Sequence, residues 1–226
     1  MENIFRKRSV IWLGEEELSF DEYKQIHQYC KGLNIQWFAS SWDFDSLAMM
    51  DSFNPPYHKI ASAFNCHIPF MEAVGRLGKP VMLSTGMADL NMIHKAVDTL
   101  RKFDVPIILM HAVSIYPCPD ELCNIKAIST LKMHFPDCEI GYSGHETGVT
   151  PTLMAIGYGA KYIERHFTLD RSAYGSDQSA SLEPRGLQRI SEYGRQIELC
   201  LGTGNITIEP GEEKCADSLR YFLKEK

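Results

Sequence analysis

Short β-rich runs alternate with amphipathic helical stretches along most of this chain, and that alternation constrains its fold more than any other feature. The runs cover residues 36–40, 58–62, 81–85, 106–113, 140–145 and 162–167. Their centres (Phe38, Ile60, Leu83, Leu109, Tyr142 and Glu164) lie 22, 23, 26, 33 and 22 residues apart. Each step holds one helix and its two loops, the pattern of repeated strand–helix units on a parallel sheet. The helical stretches carry ordinary signals. Ser19 and Glu22 form a capping-box pattern, after which Phe20, Tyr23, Ile26 and Cys30 recur at helical spacing. Residues 92–103 place Ile93, Val97 and Leu100 on one face. Residues 187–201 do the same with Ile190, Tyr193, Ile197 and Leu201, and stop near Gly202. A loop is expected over 205–212 and a short charged tail over 214–226. Six units leave two readings open: an open doubly wound sheet, or a barrel of eight units whose first two strands are missing. Before Gln36 the one strand candidate is the weak run 9–13.

A chain of 226 residues has room for one sizeable core or two small domains, and 44% hydrophobic with 23% charged residues is an ordinary globular balance that excludes disorder. The net charge of −6 argues against nucleic-acid and anionic-membrane partners. No apolar run approaches the roughly 18–20 residues needed to span a bilayer. The apolar run at 10–14 is too short for a secretory signal, so the expected compartment is the cytoplasm. Seven cysteines (30, 66, 118, 123, 138, 200 and 215) form no CxxC pair and are expected to be reduced and mostly buried.

The chemistry gathers at strand ends. Five of the six runs finish in, or just before, a serine: Ser40, Ser62, Ser84, Ser114 and Ser143. Parallel strands present their C-terminal ends at one face, where α/β folds keep their sites. Hydroxyls in phase there suit a phosphate or carboxylate, although a serine also commonly just begins a loop. Lys59 lies inside the second run, and a lysine on a doubly covered strand needs an anion or a carboxylate. Its other reading is a structural or edge lysine. His145 and His166 close the last two strands at equivalent positions. By the two-residue period Ser143 shares a face with His145, and Glu164 with His166. Imidazoles so placed can share one divalent cation. Asp177, in a Gly/Ser-rich loop, can reach back over the site or simply serve a turn. Tyr116 shares a face with Ser114 and lines the pocket or packs over its rim. His27, His94 and His134 are expected on the surface; His58, His67 and His111 are left unassigned.

Taken in order and spacing, these segments resemble the N-acetylneuraminate (sialic acid) synthase family. The matching runs are Lys59-Ile-Ala-Ser62, Leu83-Ser-Thr-Gly-Met87, Ser114-Ile-Tyr-Pro117, Gly141-Tyr-Ser-Gly-His-Glu-Thr-Gly148, Glu164-Arg-His-Phe-Thr-Leu-Asp170 and the segment 175–184. The resemblance covers about residues 20–210. It implies an α/β fold of the (β/α)8 TIM-barrel type, here incomplete, with strands equivalent to the last six of eight. Residues 1–210 would form the partial barrel domain, and 211–226 a tail or the start of a linker, without the family's C-terminal antifreeze-like domain. The implied reaction condenses phosphoenolpyruvate with an N-acetylated hexosamine, N-acetylmannosamine or its 6-phosphate, and releases phosphate. The implied cofactor is a divalent metal, Mn2+ first, with Mg2+ or Co2+ as alternatives. By the same resemblance His145 and His166 hold the metal, and Lys59, Ser62, Ser84, Ser114 and Ser143, with Ser40, hold phosphoenolpyruvate. Tyr116 and Asp177 contact the sugar; Lys59, His145, His166 and Asp177 are the catalytic set. A homo-oligomer, a dimer, is implied as well. The chain departs from the family pattern at Phe64, where a carboxylate is usual, and in its missing first strands. Those departures favour a competing reading, a silent fragment or assembly subunit keeping the fold and anion site. A metal-dependent hydrolase would explain the histidines but not Lys59 with the serines.

Overall fold

A computed structural model describes residues 18–223. The candidate strand at 9–13 and the last residues of the tail lie outside them. Five parallel strands form one sheet in chain order: β1 (His58–Ile60), β2 (Val81–Ser84), β3 (Ile107–Ala112), β4 (Glu139–Gly144) and β5 (Tyr162–Arg165). Neighbours in sequence are neighbours in space, with a helical crossover between each pair.

The register places side chains in layers. Lys59 pairs with Met82 and Met82 with Ile108; Ser84 pairs with Met110 and Met110 with Gly141; Ala112 pairs with Ser143 and Ser143 with Glu164. By the two-residue period all of these share one face of the sheet. Met82, Ile108 and Met110 form a small apolar cluster on that face, packed by Tyr57 and Tyr162. The opposite face carries Ile60, Leu83, Leu109, Ile140 and Tyr142 into the main core. Gly141 has no side chain because there is no room for one. A Cβ there would lie 2.4 Å from the Met110 sulfur and 2.8 Å from the Tyr162 carbonyl. Pairing also climbs across the sheet: Val81 is level with Ile107, but β5 begins level with Gly141 and thus with Met110. A stagger in one direction is what a sheet needs in order to curl.

The helices are α1 (Phe20–Gly32), α2 (Phe44–Ser52), α3 (Ile68–Arg76), α4 (Leu90–Arg101), α5 (Ala127–His134), α6 (Thr150–Gly157), α7 (Pro184–Leu201) and α8 (Glu212–Leu219), of which α2 to α6 contribute buried side chains to the main core. The Ser19 capping box forms as the sequence predicts: the Ser19 hydroxyl accepts from the Glu22 amide and the Ser19 amide donates to Glu22 Oε2 at 2.7 Å. Ile93, Val97 and Leu100 are buried on α4. On α7 only Ile190 of the predicted stripe is fully buried, whereas Tyr193 and Leu201 stay 44% and 52% exposed, so that face is only partly covered. Of the expected charged tail, residues 214–219 lie in α8, which begins at Glu212, the last residue of the expected loop.

One predicted strand is corrected. Residues 36–40 make a single parallel bridge, Ser40 with Lys59, rather than a strand. β1 itself has three residues and offers little ladder. The Trp37 ring turns instead to α1, donating to His27 Nδ1 at 3.1 Å and packing on Phe53 and Tyr23. His27 and His94 are half-buried rather than on the surface, because His27 accepts that bond and His94 packs 4.5 Å from Phe135. His67 caps α3 by accepting from the Phe70 amide.

The remaining two histidines link the core to pH. His58 and His111 are 3% and 6% exposed. Burial pulls both below the usual histidine value, only partly opposed by Asp51 beside His58 and by the Cys123 carbonyl beside His111. Folded, they are neutral where the unfolded chain is already taking up protons. Stability present at neutral pH is therefore lost as pH falls through the ordinary histidine value. Melting temperature measured from pH 7.5 to 5.5 should fall, and His111→Gln should make the slope shallower; a flat or rising profile would contradict this.

Candidate active site

Lys59 stands at the centre of the site. It is 7% exposed, and its ammonium donates to the Ser84 hydroxyl at 2.7 Å. Glu164 Oε2 lies 3.5 Å away, close enough to pair and too long for a good hydrogen bond. Burial pulls the Lys59 ammonium below its ordinary value, with Glu164 pushing the other way. A cation so placed is incompletely compensated and suited to pairing with an anion.

The other hydroxyls are arranged around the loop after β2. A Cβ on Gly86 would sit 2.3 Å from Ser114 Oγ and 2.7 Å from Ser62 Oγ, so both hydroxyls face the space that this glycine leaves. Ser114 Oγ is buried with no hydrogen-bond partner among the described residues. Buried polar atoms seldom go unpaired without reason. Asn65 pins the loop from behind, its amide donating to the carbonyls of Ser84 and Gly86 at 3.2 and 2.8 Å. Ser40 reaches this region through its backbone bridge to Lys59. Beside the cradle, between α4 and α5, a groove of about 640 Å³ shares Ser114 with it and is lined by His111, but by neither Lys59, His145 nor His166.

Glu164 connects the cradle to the imidazoles. Its Oε1 accepts from the Ser143 hydroxyl at 3.2 Å, while Oε2 faces Lys59. Just beyond Ser143 and Glu164 in register come His145 and His166, with ring centroids 5.3 Å apart. His145 Nδ1 lies 2.7 Å from the Val113 carbonyl, which can only accept, so this nitrogen carries the proton and Nε2 keeps its lone pair. His166 Nδ1 lies 3.2 Å from Asp177 Oδ2, which leaves its Nε2 free as well. Ring nitrogens held from behind by a carbonyl and a carboxylate are what metal-binding imidazoles use for orientation. Burial also pulls His145 below the usual histidine value and favours its neutral, ligating form. Among the described residues no cluster of three or more ligating side chains forms, so this pair would leave the other positions to water or substrate.

Tyr116 covers the pair, its ring 4.2 Å from that of His145 and 5.6 Å from that of His166. It is 43% exposed, so part of it is open to solvent. Asp177 takes a place that the sequence leaves undecided: both oxygens are engaged, one with His166 and one with the Ser176 hydroxyl. Phe64 packs against Phe70, Trp42 and His67 at 5.0–5.7 Å, on the side of α3. Sequence reasoning missed two residues here. The two-residue period puts Glu164 on the face of His166 but assigns it no role, and no local pattern marks Asn65. All seven cysteines are free thiols but, against expectation, only Cys118 and Cys123 are buried, their sulfurs 3.8 Å apart. Cys66, in a turn, and Cys200 and Cys215, on α7 and α8 away from the main core, are exposed.

Comparison with known proteins places the chain in a family. The NeuB family model matches residues 6–206. N-acetylneuraminate-9-phosphate synthase of Mus musculus is 34% identical over 203 residues, 90% of this chain and 56% of the mouse protein. N,N'-diacetyllegionaminic acid synthase of Campylobacter jejuni is 33% identical over 93% of this chain and 64% of that protein. The chain thus spans a little over half the length of such relatives. The crystal structure of N-acetylneuraminic acid (sialic acid) synthetase from Leptospira borgpetersenii, in complex with citrate, superposes with a TM-score of 0.89 at 33% identity, covering 97% of this chain and 76% of that one. A truncated 3-deoxy-D-arabino-heptulosonate 7-phosphate synthase from Thermotoga maritima, 13% identical at a TM-score of 0.63, shares the fold. With the family model matched across most of its length, and a mouth of lysine, serines and paired histidines on parallel strand ends, the chain belongs to the NeuB family.

Proposed function

We propose that this chain carries the catalytic mouth of a nonulosonic acid synthase, which joins phosphoenolpyruvate to an N-acetylated hexosamine or its phosphate and releases phosphate. The five strands and the Ser40 bridge form part of an eight-stranded barrel in this reading. One observation carries it: Glu164 bonds Ser143 and faces Lys59, which brings an anion cradle and two ligand-ready imidazoles to the same strand ends.

The chain's own groups divide the work. Lys59 and Ser84, with Ser62 and Ser114 across Gly86, bind the phosphate and carboxylate of phosphoenolpyruvate and fix its enol carbon toward the histidine side. Tyr116 gives the acceptor an aromatic wall, and Asp177 keeps His166 in the tautomer with Nε2 free. His145 and His166 would hold a divalent cation, Mn2+ in the first instance, which would supply Lewis-acid polarisation of the acceptor's aldehyde. The enol carbon attacks the carbonyl carbon and a C–C bond forms as the C=O π pair moves onto the aldehyde oxygen, which takes up a proton from water and becomes a hydroxyl, leaving C2 of phosphoenolpyruvate cationic. Water then adds at the cationic C2, and Glu164 is the carboxylate placed to take its proton. The tetrahedral carbon expels phosphate by C–O cleavage, leaving the keto acid. Lys59 and the hydroxyls hold the phosphate dianion throughout, so positioning and a preorganised field supply most of the rate.

The test is phosphate release from phosphoenolpyruvate with and without N-acetylmannosamine, its 6-phosphate and Mn2+. Sugar-dependent release supports the synthase. No release supports the silent reading that Phe64 favours, and hydrolysis without sugar supports neither. A smaller substitution probes the cradle. Gly86→Ala puts a methyl group between the Ser62 and Ser114 hydroxyls and should raise KM for phosphoenolpyruvate roughly 10–100-fold, the cost of one or two charge-assisted hydrogen bonds. KM for the sugar should stay put. Equal changes in both would contradict the assignment of that cradle.

A further inference from the structure

Behind the histidines, on the face of the sheet turned away from the mouth, lies a second charged pair. Glu146 follows His145 in the chain, and Arg165 precedes His166. Their side chains are 0% and 2% exposed, and Arg165 Nη1 donates to Glu146 Oε1 at 2.9 Å. The carboxylate also accepts from the Tyr142 hydroxyl at 2.9 Å and from Thr152 Oγ1 at 2.7 Å. The guanidinium further reaches the Glu146 and Gly148 carbonyls, so it grips the backbone just past His145 as well as the side chain.

Gly144 makes this crossing feasible. It is in register with Arg165, and a Cβ on it would stand 2.5 Å from Glu146 Oε2, 2.6 Å from Tyr142 Cε1 and 3.0 Å from Arg165 Cδ. The arginine stem and the carboxylate therefore meet over the bare backbone of β4. Such a pair is a poor device for stability alone, because both charges give up their hydration and apolar replacements of similar size often do as well. It is not even fully satisfied, for Arg165 Nε is buried without a partner among the described residues. β5 pairs with β4 alone in the described sheet; past its end the Leu182 amide donates to the His166 carbonyl at 2.8 Å through a single bridge of Phe167 with Leu182, which holds the backbone on the far side while the Arg165–Glu146 pair ties it to β4.

We infer that the Arg165–Glu146 pair is a positioning clamp: it locks the ends of β4 and β5 so that His145 and His166 hold the spacing needed to share one divalent cation. The inference rests on the metal reading above and adds residues to it. The pair acts from behind, through the backbone of the two histidines, and touches neither substrate nor metal.

The test uses the full chain, Mn2+ alone as the probe, and electron spin echo modulation to count coordinated imidazoles. Wild type should bind Mn2+ with two imidazole couplings, and His145→Ala should leave one. Arg165→Lys, which keeps the charge but loses the fork, should weaken Mn2+ binding at least tenfold and show one coupling. The apolar double replacement Arg165→Met with Glu146→Leu guards against a variant that fails to fold. It should melt near the wild-type temperature and still bind Mn2+ at least tenfold more weakly. A merely structural pair predicts the opposite, with Mn2+ affinity and both couplings retained wherever the fold is retained, and that result overturns the clamp. If wild type itself shows no imidazole coupling, the metal reading fails and the clamp falls with it.

Discussion

Lys59→Met should lower phosphoenolpyruvate-dependent turnover roughly 10²–10³-fold, the size of effect seen when one preorganised charge-stabilising donor is removed, while leaving the chain as stable as before or more so. Both halves follow from the same burial. The ammonium is 7% exposed, and its compensation is one hydroxyl at 2.7 Å and one carboxylate at 3.5 Å. Folding therefore leaves a cation short of partners, which methionine of similar length does not do. Glu164, more than a third exposed, can take water in place of the lysine. Turnover and melting temperature measured on the same preparation separate the possibilities. Loss of stability together with activity would make Lys59 a structural lysine, the reading that its place within a strand also allowed.

His145→Ala and His166→Ala should each reduce turnover by about 10³-fold or more, and the double variant should be scarcely worse than either single one. Groups that act as a unit lose the whole function with the first deletion. Neither change should unfold the chain. His145 loses one bond to the Val113 carbonyl, and His166 is partly exposed with its carboxylate partner at the rim. Additive losses in the double variant, or full activity of both singles in chelator-treated buffer, would show that the two rings do not share a task.

Much of this mouth could be read from the sequence because strands count residues in twos. Ser143 with His145, and Glu164 with His166, had to share a face once β4 and β5 were recognised, and the serines could be phased to the strand ends in the same way. What escaped depends on contacts between distant segments. Asn65 reaches the carbonyls of Ser84 and Gly86, and no local pattern distinguishes it from a loop asparagine. Asp177 sits on His166 because an 11-residue excursion folds back, a path that loop composition does not encode. Residues 36–40 read as a strand on propensity, but a strand also needs a ladder. β1 gives it one bridge, while Trp37 finds a better place against His27 and Phe53. The α7 stripe had the right period and only partial cover, since periodicity tells which face is apolar and not how much of it is met.

The most direct measurement is the effect of bound Mn2+ on the 31P signal of phosphoenolpyruvate bound to the intact chain. If the cradle and the imidazole pair share one mouth, the phosphorus lies within several ångströms of the ion and its signal broadens strongly in wild type. That broadening should vanish in His145→Ala with His166→Ala, where the ion is lost, and in Lys59→Met, where the anion is lost. Phosphoenolpyruvate and Mn2+ bound together with the 31P line unbroadened would place them at separate sites and contradict the account.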